Sequence, residues 1–234
     1  LMDGNTLVLD TDMNIESSTG VIHDITAGGI IDCGTNVVSL FDVNFYLLNT
    51  ATAILAHPDG FQGNLPGTSY SPQTTFIYNG TVVQSTGFTN NSPNVGLMSI
   101  ENSSGVVLDS DIVVDTLEIF DGNFNLSDFK LSIAGAFSYT GGQLIGNIAG
   151  SALEFIAPAN GDFFINTDLH LDSLIIDSEF AEVRLDGTGF LYTNNTVLRL
   201  GQLFIEDANL DIQESLVNEG GVLHGGPNAG LIIG

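Results

Sequence analysis

Pairs of acidic residues separated by one position are the first candidates for chemistry in this sequence. Asp10 with Asp12, and Asp109 with Asp111, would each project from one face of a strand about 6.8 Å apart. Carboxylate oxygens are ligands that calcium prefers, so these four residues are candidate Ca²⁺ ligands. Two such charges in water repel each other by only about 0.6 kcal/mol, which does not require a metal. A solvated acidic face with no cofactor is therefore the alternative.

A second candidate for chemistry is the triplet Asn166-Thr-Asp168, which resembles the first acidic motif of β-helical pectin hydrolases. Those enzymes also use tandem aspartates, a Gly-His-Gly segment and an Arg-x-Lys motif, and the sequence contains none of these. The four histidines show no zinc-ligand spacing, and the lone cysteine, Cys33, is expected to be a small buried residue. We therefore predict no catalytic residues.

The candidate acids lie inside a nine-residue unit that occurs three times. The copies are residues 9–17 (LDTDMNIES), 108–116 (LDSDIVVDT) and 165–173 (INTDLHLDS). Each copy alternates apolar and polar side chains with a period of two, which predicts a β-strand with one buried face and one wet face rich in carboxylates. The copies begin 99 residues (108 minus 9) and 57 residues (165 minus 108) apart, so one unit is reused with loops of variable length.

Further repeats and turn residues define the expected fold. Residues 117–126 resemble 203–212, residues 139–146 resemble 218–225, and residues 93–97 resemble 227–231. Short strands joined by Gly, Asn and Asp turns, repeated at variable spacing, predict an all-β protein that forms a right-handed parallel β-helix or a related β-solenoid. An array of β-sandwich domains is the alternative.

The expected domain organisation follows from the same repeats. Solenoid coils are predicted for residues 1–48 and 93–234, and they are expected to continue beyond residue 234 because 227–231 match the start of an earlier round. Residues 49–92 contain the segment HPDGFQGNLPGTSYSPQTT, rich in Pro and Gly. This stretch is expected to be a loop-rich insertion or a domain boundary.

The composition limits the kinds of partner that the protein can have. There are 28 acidic residues against three basic ones, which gives a formal net charge of −25. This charge argues against nucleic acid and anionic membranes, since both attract clustered Lys and Arg. The sequence contains no apolar run long enough to be inserted in a membrane. The chain begins at Leu1 without a signal peptide, so we expect a segment of a longer protein.

Two segments carry a resemblance to a known family: residues 75–87 (TFIYNGTVVQSTG) and residues 95–117 (VGLMSIENSSGVVLDSDIVVDTL). They resemble the β-strand repeat proteins secreted by Bacteroidota, and the match covers residues 75–145 well and the rest loosely. The resemblance implies a large extracellular surface protein exported by type IX secretion, with an adhesin role that includes gliding adhesins. It implies no catalytic residues. The C-terminal sorting domain of such proteins is not in this sequence, as expected for a segment.

The resemblance also draws attention to two short acceptor sequences for O-glycosylation. Asp115-Thr116-Leu117 and Asp172-Ser173-Leu174 match the Bacteroidota pattern of Asp, then Ser or Thr, then an aliphatic residue. Thr116 and Ser173 are therefore candidate glycosylation sites at equivalent places in their repeats. The alternative is that both residues simply end a strand.

Together these features predict a segment of a large secreted cell-surface adhesin or stalk, with a structural and adhesive role and no catalysis. The expected partners are a surface polysaccharide or other cell-surface ligand, and further repeats of the same chain. Residues 57–72 are the loop expected to contact a ligand. A carbohydrate-active β-helix enzyme, a polysaccharide hydrolase or lyase, is the alternative. Binding to ice or another crystal surface is not favoured, because the sequence shows no regular ladder of threonines.

Overall fold

The computed structural model describes residues 5–16, 23–88, 93–156, 160–164 and 168–234, and most of these residues lie in β-strands. In chain order the first elements are β1 (Thr6–Val8), β2 (Met13–Glu16), β3 (His23–Ala27), β4 (Ile30–Gly34), β5 (Val38–Phe41), β6 (Val43–Leu47), β7 (Thr52–Leu55), helix α1 (Gly60–Asn64), β8 (Ser69–Tyr70), β9 (Thr75–Tyr78) and β10 (Gln84–Ser85). The others are β11 (Asn94–Glu101), β12 (Val106–Val107), β13 (Ile112–Asp121), β14 (Asn123–Asn125), β15 (Lys130–Tyr139), β16 (Gln143–Ile145), β17 (Ala152–Ile156), β18 (Asn160–Phe164), β19 (Leu169–Asp186), β20 (Phe190–Ile205), β21 (Asn209–Asn218), β22 (Val222–Gly225) and β23 (Gly230–Ile233).

The strands stack into a parallel β-solenoid of about ten turns. A 14-stranded main sheet runs in the order β1-β4-β7-β9-β11-β13-β15-β17-β19-β20-β21-β23, with β18 and β22 beside it. Smaller sheets have the orders β10-β12-β14-β16, β3-β6-β8 and β2-β5. All the strand pairs of the described residues are parallel. The predicted parallel β-helix is confirmed, and the β-sandwich alternative is wrong.

The core consists of inward side chains that stack from coil to coil. One such column contains Leu7, Ile31, Ala53, Phe76, Met98, Leu117 and Phe137. All of these except Leu7, which is half-buried near the end of the stack, are buried. Removing a large aliphatic or aromatic side chain from water contributes about 1.5–3 kcal/mol, so each coil adds to the stability of its neighbours.

The alternation of burial predicted for the second nine-residue copy is present, but the prediction of a strand over the whole copy is wrong, because residues 108–111 lie between β12 and β13. Leu108, Ile112 and Val114 are buried, whereas Asp109 and Asp115 are exposed. The inward residues are aliphatic and continue the core columns, while the outward acids lie on the wet face. Burial of every second side chain therefore determines which face of this strand points inward.

The predicted strand–turn–strand pattern of residues 117–126 is also present. Strand β13 ends at Asp121 and β14 begins at Asn123, so one glycine forms the corner. Gly122 has a φ of +71°, and an added Cβ would lie 2.0 Å from the Asn102 carbonyl oxygen. Only glycine fits this corner, because any other residue would combine an unfavourable φ with a backbone clash.

The stretch of residues 49–92 contains both coil strands and an excursion. Strands β7 and β9 belong to the main sheet, so the coils continue through these residues. The excursion between them contains α1, whose Phe61 is buried. The Phe61 ring lies 5.2 Å from Tyr70, 5.2 Å from Phe76 and 5.6 Å from Phe88, measured between ring centroids. The excursion is therefore packed against the core beside β9 and does not project freely.

Candidate functional site

The acid at the fourth position of each nine-residue copy has the same kind of hydrogen-bond partner. Asp12, Asp111 and Asp168 each accept a hydrogen bond from a backbone N–H of the following coil. The bonds join Val37 N to Asp12 Oδ1 (2.9 Å), Lys130 N to Asp111 Oδ1 (2.8 Å) and Phe190 N to Asp168 Oδ1 (3.2 Å). The donors lie at the starts of β5, β15 and β20, so these acids fasten one coil to the next. Asn166 and Thr167, the other members of the hydrolase-like triplet, lie outside the described residues.

Asp109 is bound to the preceding coil. Its Oδ2 accepts the Gly87 N–H at 2.9 Å, and its Oδ1 accepts the Phe88 N–H at 3.3 Å. The Thr86 hydroxyl donates to the same carboxylate. Asp109 therefore binds the residues that follow β10, whereas Asp10 is exposed on the first coil.

The four candidate calcium ligands form two separate pairs on distant coils. Three of them, Asp12, Asp109 and Asp111, already accept backbone N–H groups. Within the ranges that the structure describes, no group of three or more acidic, His or Cys side chains is close enough to hold a metal ion. The hydrogen bonds give Asp12, Asp109 and Asp111 partners within the protein, Asp10 is exposed, and calcium binding by the four acids stays a prediction.

All three basic side chains join neighbouring coils. Lys130 Nζ lies 2.9 Å from Glu154, Arg184 Nη1 lies 2.7 Å from Glu206, and Arg199 Nη1 lies 2.7 Å from Asp177. The hydrogen bond and charge of Asp177 raise the pKa of Arg199 above its ordinary value. Each cation therefore has an acidic partner on the next or the preceding coil.

Aromatic and histidine rings also stack between coils on the outer surface. The rings of His170 and Tyr192 lie 4.6 Å apart, and those of Phe204 and His224 lie 4.3 Å apart. The guanidinium carbon of Arg184 lies 4.1 Å from the centre of the Phe204 ring, a cation–π contact. The two rings of each pair belong to register partners on adjacent strands, so the rings stack from coil to coil.

The remaining candidates for chemistry are His23, His57 and Cys33. His57 Nδ1 accepts the Asp59 N–H at 3.1 Å at the start of the excursion, and the side chain of His23 lies outside the described part of the chain. Cys33 is buried, and burial followed by the charge of Asp32 raises the pKa of its thiol to about 12. The expectation of a small buried cysteine is confirmed.

Thr116 and Ser173 are both half-buried on outward faces of the main sheet. Their places in the sequence repeats are equivalent, but their places in the stack of coils are not. Leu174 shares a column with Ile112 through β15 and β17, so Ser173 precedes that column by one residue while Thr116 follows it by four. The third copy is therefore shifted along the sheet relative to the second, because the connecting loops differ in length. Glycosylation of both residues stays a prediction.

The loop expected at residues 57–72 is largely part of the fold. Asn64 is fully buried: its Oδ1 accepts the His57 N–H at 3.1 Å, and its Nδ2 donates to the Asn36 carbonyl at 2.6 Å. The sequence analysis missed the short helix, although the spacing of Phe61 and Leu65, four residues apart and both buried, was an available signal. Pro58 and Asp59 remain exposed at this edge of the solenoid.

Comparisons with known proteins find no relative: no family model, curated protein or solved structure matches the chain. The described residues also contain no helix that is both long and apolar enough to cross a membrane. The class that the geometry defines is the parallel β-solenoid, with outer polar side chains that bind coil to coil.

Proposed function

We propose that this chain is a segment of a large secreted adhesin or stalk displayed at the cell surface, and that it works without catalysis. The observation that supports the proposal is the unbroken parallel pairing of the main sheet from β1 to β23. About ten turns at a strand spacing of about 4.8 Å make a rod about 50 Å long. A rod of this kind holds its ends apart and presents side chains and loops along its length.

The outer polar contacts support a structural role. The salt bridges of Lys130, Arg184 and Arg199 join residues in adjacent coils, and so do the hydrogen bonds of the repeated aspartates. Exposed ion pairs contribute up to about 1 kcal/mol each, so their effect is to fix the stacking and register more than the overall stability. The high negative charge keeps such a surface soluble outside the cell.

A first experiment tests display and adhesion in the organism that produces the protein. An antibody against the purified chain is expected to label intact cells, and deletion of the gene is expected to reduce attachment to polysaccharide-coated surfaces. Complementation with the gene should restore attachment. Labelling that appears only after the cells are permeabilised would contradict surface display.

A second experiment tests the edge of the solenoid near residues 57–72 as a contact surface. Deletion of the whole stretch would remove Phe61 and Leu65 from the core, so the exposed residue Asp59 is changed instead, to Lys. We expect Asp59→Lys to weaken surface binding without lowering the Tm. Asp121→Lys, at an exposed corner of another coil, is the matched control. Equal binding by both variants would exclude this edge.

A third experiment separates the adhesin from the enzyme alternative. Purified chain is incubated with acidic polysaccharides, and new reducing ends and unsaturated products are measured. We expect no turnover, because Asp168 is bound to the Phe190 amide and the three bases are ion-paired. Turnover that Asp168→Ala abolishes while the fold is retained would favour the enzyme.

A further inference from the structure

Stacking of the coils creates an ordered outer face that the sequence spacing conceals. One outward column of the main sheet contains Thr6, Ile30, Thr52, Thr75, Leu97 and Thr116. The adjacent outward column contains Val8, Asp32, Ile54, Ile77, Ser99 and Glu118. The threonines align although successive members of the first column are between 19 residues (116 minus 97) and 24 residues (30 minus 6) apart. We call these two columns the Thr/Ile face.

The side chains of the Thr/Ile face are rigid and regularly spaced. Neighbours within a column lie about 4.8 Å apart, and alternate residues along a strand lie about 7 Å apart, so six coils present an array about 24 Å long. Thr, Ile and Val are branched at Cβ, which restricts χ1 and fixes the directions of their methyl and hydroxyl groups. The spacing of the coils is therefore regular, and the adjacent coils with Thr52 and Ile54 and with Thr75 and Ile77 repeat the same pair of residue types. Ile30 and Leu97 interrupt the column of threonines on either side of them.

The centre of the face is partly exposed to solvent, and its threonine hydroxyl groups are free to bind water. Thr52, Ile54, Thr75 and Ile77 are half-buried by their neighbours in the sheet, and Val8 at one end is 57% exposed. Within the described part of the chain, the hydroxyls of Thr52 and Thr75 make no hydrogen bond to protein. On each of these middle coils, a threonine that carries a methyl and a hydroxyl group lies two residues before an isoleucine on the same outward face.

The charge of the face limits what it can bind. The molecule carries a net charge of −25, yet the two columns contain acids only at Asp32 and Glu118. The Asp32 carboxylate accepts the Gly34 N–H at 3.1 Å within its own strand. Only the middle coils, with Thr52, Ile54, Thr75 and Ile77, carry no charge, since Asp32 lies on the coil before them and Glu118 on the second coil after them. These middle coils match an uncharged partner, and a second copy is disfavoured because the acidic surfaces of two copies would repel each other.

We propose that the Thr/Ile face binds ice, as a binding activity of this chain that does not depend on surface display. An ice surface is an uncharged, planar lattice of water molecules that repeats every few ångströms. The threonine hydroxyls would take lattice positions, while the adjacent methyl groups would hold water in an ordered layer. The two columns contain no aromatic ring on which a sugar could stack, so crystalline polysaccharide is less well matched.

Ice recrystallisation inhibition by the purified chain is the test. The chain is expected to keep ice grains small, and Thr75→Tyr is expected to raise the concentration needed by at least about tenfold, because the larger ring breaks the planar array. Val217→Tyr is the matched control, since Val217 is an outward strand residue that is 40% exposed on a different part of the main sheet. The control variant is expected to act like the unmodified chain.

Ile77→Lys is a second variant on the face, used if circular dichroism shows that Thr75→Tyr does not fold. No inhibition by the unmodified chain would overturn the proposal, and so would equal loss in the Val217→Tyr control. Sedimentation that shows a dimer dissolved by Thr75→Tyr, without activity on ice, would assign the face to self-association and also overturn it. Co-sedimentation with crystalline cellulose in place of ice activity would have the same consequence.

Discussion

The aspartates at the fourth position of the nine-residue unit show how one side chain organises a coil junction. Each accepts a backbone N–H at, or directly before, the first residue of the next stacked strand. Hydrogen bonds to charged groups contribute about 1.5–3 kcal/mol to stability. The sequence analysis placed these acids within a strand, which is wrong: each lies directly before one, since the strands begin at Met13, Ile112 and Leu169. It could not identify their partners, which lie between 19 and 25 residues away at no fixed spacing.

We expect Asp111→Ala to lower the free energy of unfolding by about 1–3 kcal/mol, because the Lys130 amide loses its acceptor. Hydrogen exchange at the Lys130 amide should accelerate together with the fall in stability. Asp115→Ala is the control, since Asp115 is an exposed residue of β13, which begins directly after Asp111. Asp111→Asn should retain most of the stability because its amide oxygen still accepts. Unchanged exchange at Lys130 in Asp111→Ala would contradict this role.

Tyr78 gives the protein a sensitivity to alkaline pH. The ring is fully buried, and its hydroxyl donates to the Thr86 carbonyl at 2.7 Å. Burial, followed by the charges of Asp109 and Tyr70, raises the pKa of Tyr78 well above its ordinary value. The folded state therefore favours the neutral phenol, and its contribution to stability is complete below the unfolded pKa of about 10 and is lost as the pH rises above it.

Tyr78→Phe should remove part of this alkaline destabilisation. At neutral pH we expect a loss of about 0.5–1.5 kcal/mol from the missing hydrogen bond. The free energy of unfolding measured between neutral pH and pH about 11 should then fall less steeply than in the unmodified chain. Tyr46→Phe, at a position 37% exposed, is the control. Parallel pH profiles for Tyr78→Phe and the unmodified chain would show that Tyr78 does not titrate in this way.

At the scale of elements, local patterns predicted the strands but not their positions in the stack. Alternation was sufficient for β13, where Ile112 and Val114 point inward. The alignment of Thr52 with Thr75 and Thr116 was not predictable, because strand register depends on long-range pairing across loops of unequal length. The sequence analysis inferred that there is no regular ladder of threonines. The structure corrects this in part, because four threonines share one column of the stack, although Ile30 and Leu97 interrupt it.

Helix α1 is too short to be stable by itself and depends on its aromatic contacts. We expect Phe61→Ala to lower the free energy of unfolding by about 3–5 kcal/mol, as is typical for loss of a buried aromatic ring. Gln62→Ala, the next residue and half-exposed, should have little effect. Chemical denaturation monitored by near-ultraviolet circular dichroism would measure both. A small effect of Phe61→Ala would mean that the excursion is not anchored by this ring.

At the scale of the whole molecule, each coil contacts only its neighbours, so stability is expected to be local. The rate at which a thiol reagent labels Cys33 would measure local opening, because the thiol is buried and burial raises its pKa to about 12. Labelling by a thiol reagent at neutral pH therefore requires the first coils to open. We expect Ile31→Ala, two residues away in the core, to accelerate labelling strongly.

Leu210→Ala is the matched distant variant for the Cys33 measurement. Leu210 is fully buried in β21, near the other end of the stack. We expect it to loosen the last coils while leaving the rate of Cys33 labelling unchanged. Equal acceleration by Ile31→Ala and Leu210→Ala would show that the solenoid opens as one cooperative unit.

The hydrogen bonds between successive strands run along the long axis of the solenoid, which has a mechanical consequence. Tension applied between the two ends would load these bonds one row at a time, so the outermost coil would peel away before the interior yields. Each coil of about 22 residues that unravels would lengthen the chain by about 70 Å. A tether built this way would extend in steps under flow and absorb sudden pulls while its remaining turns stay intact.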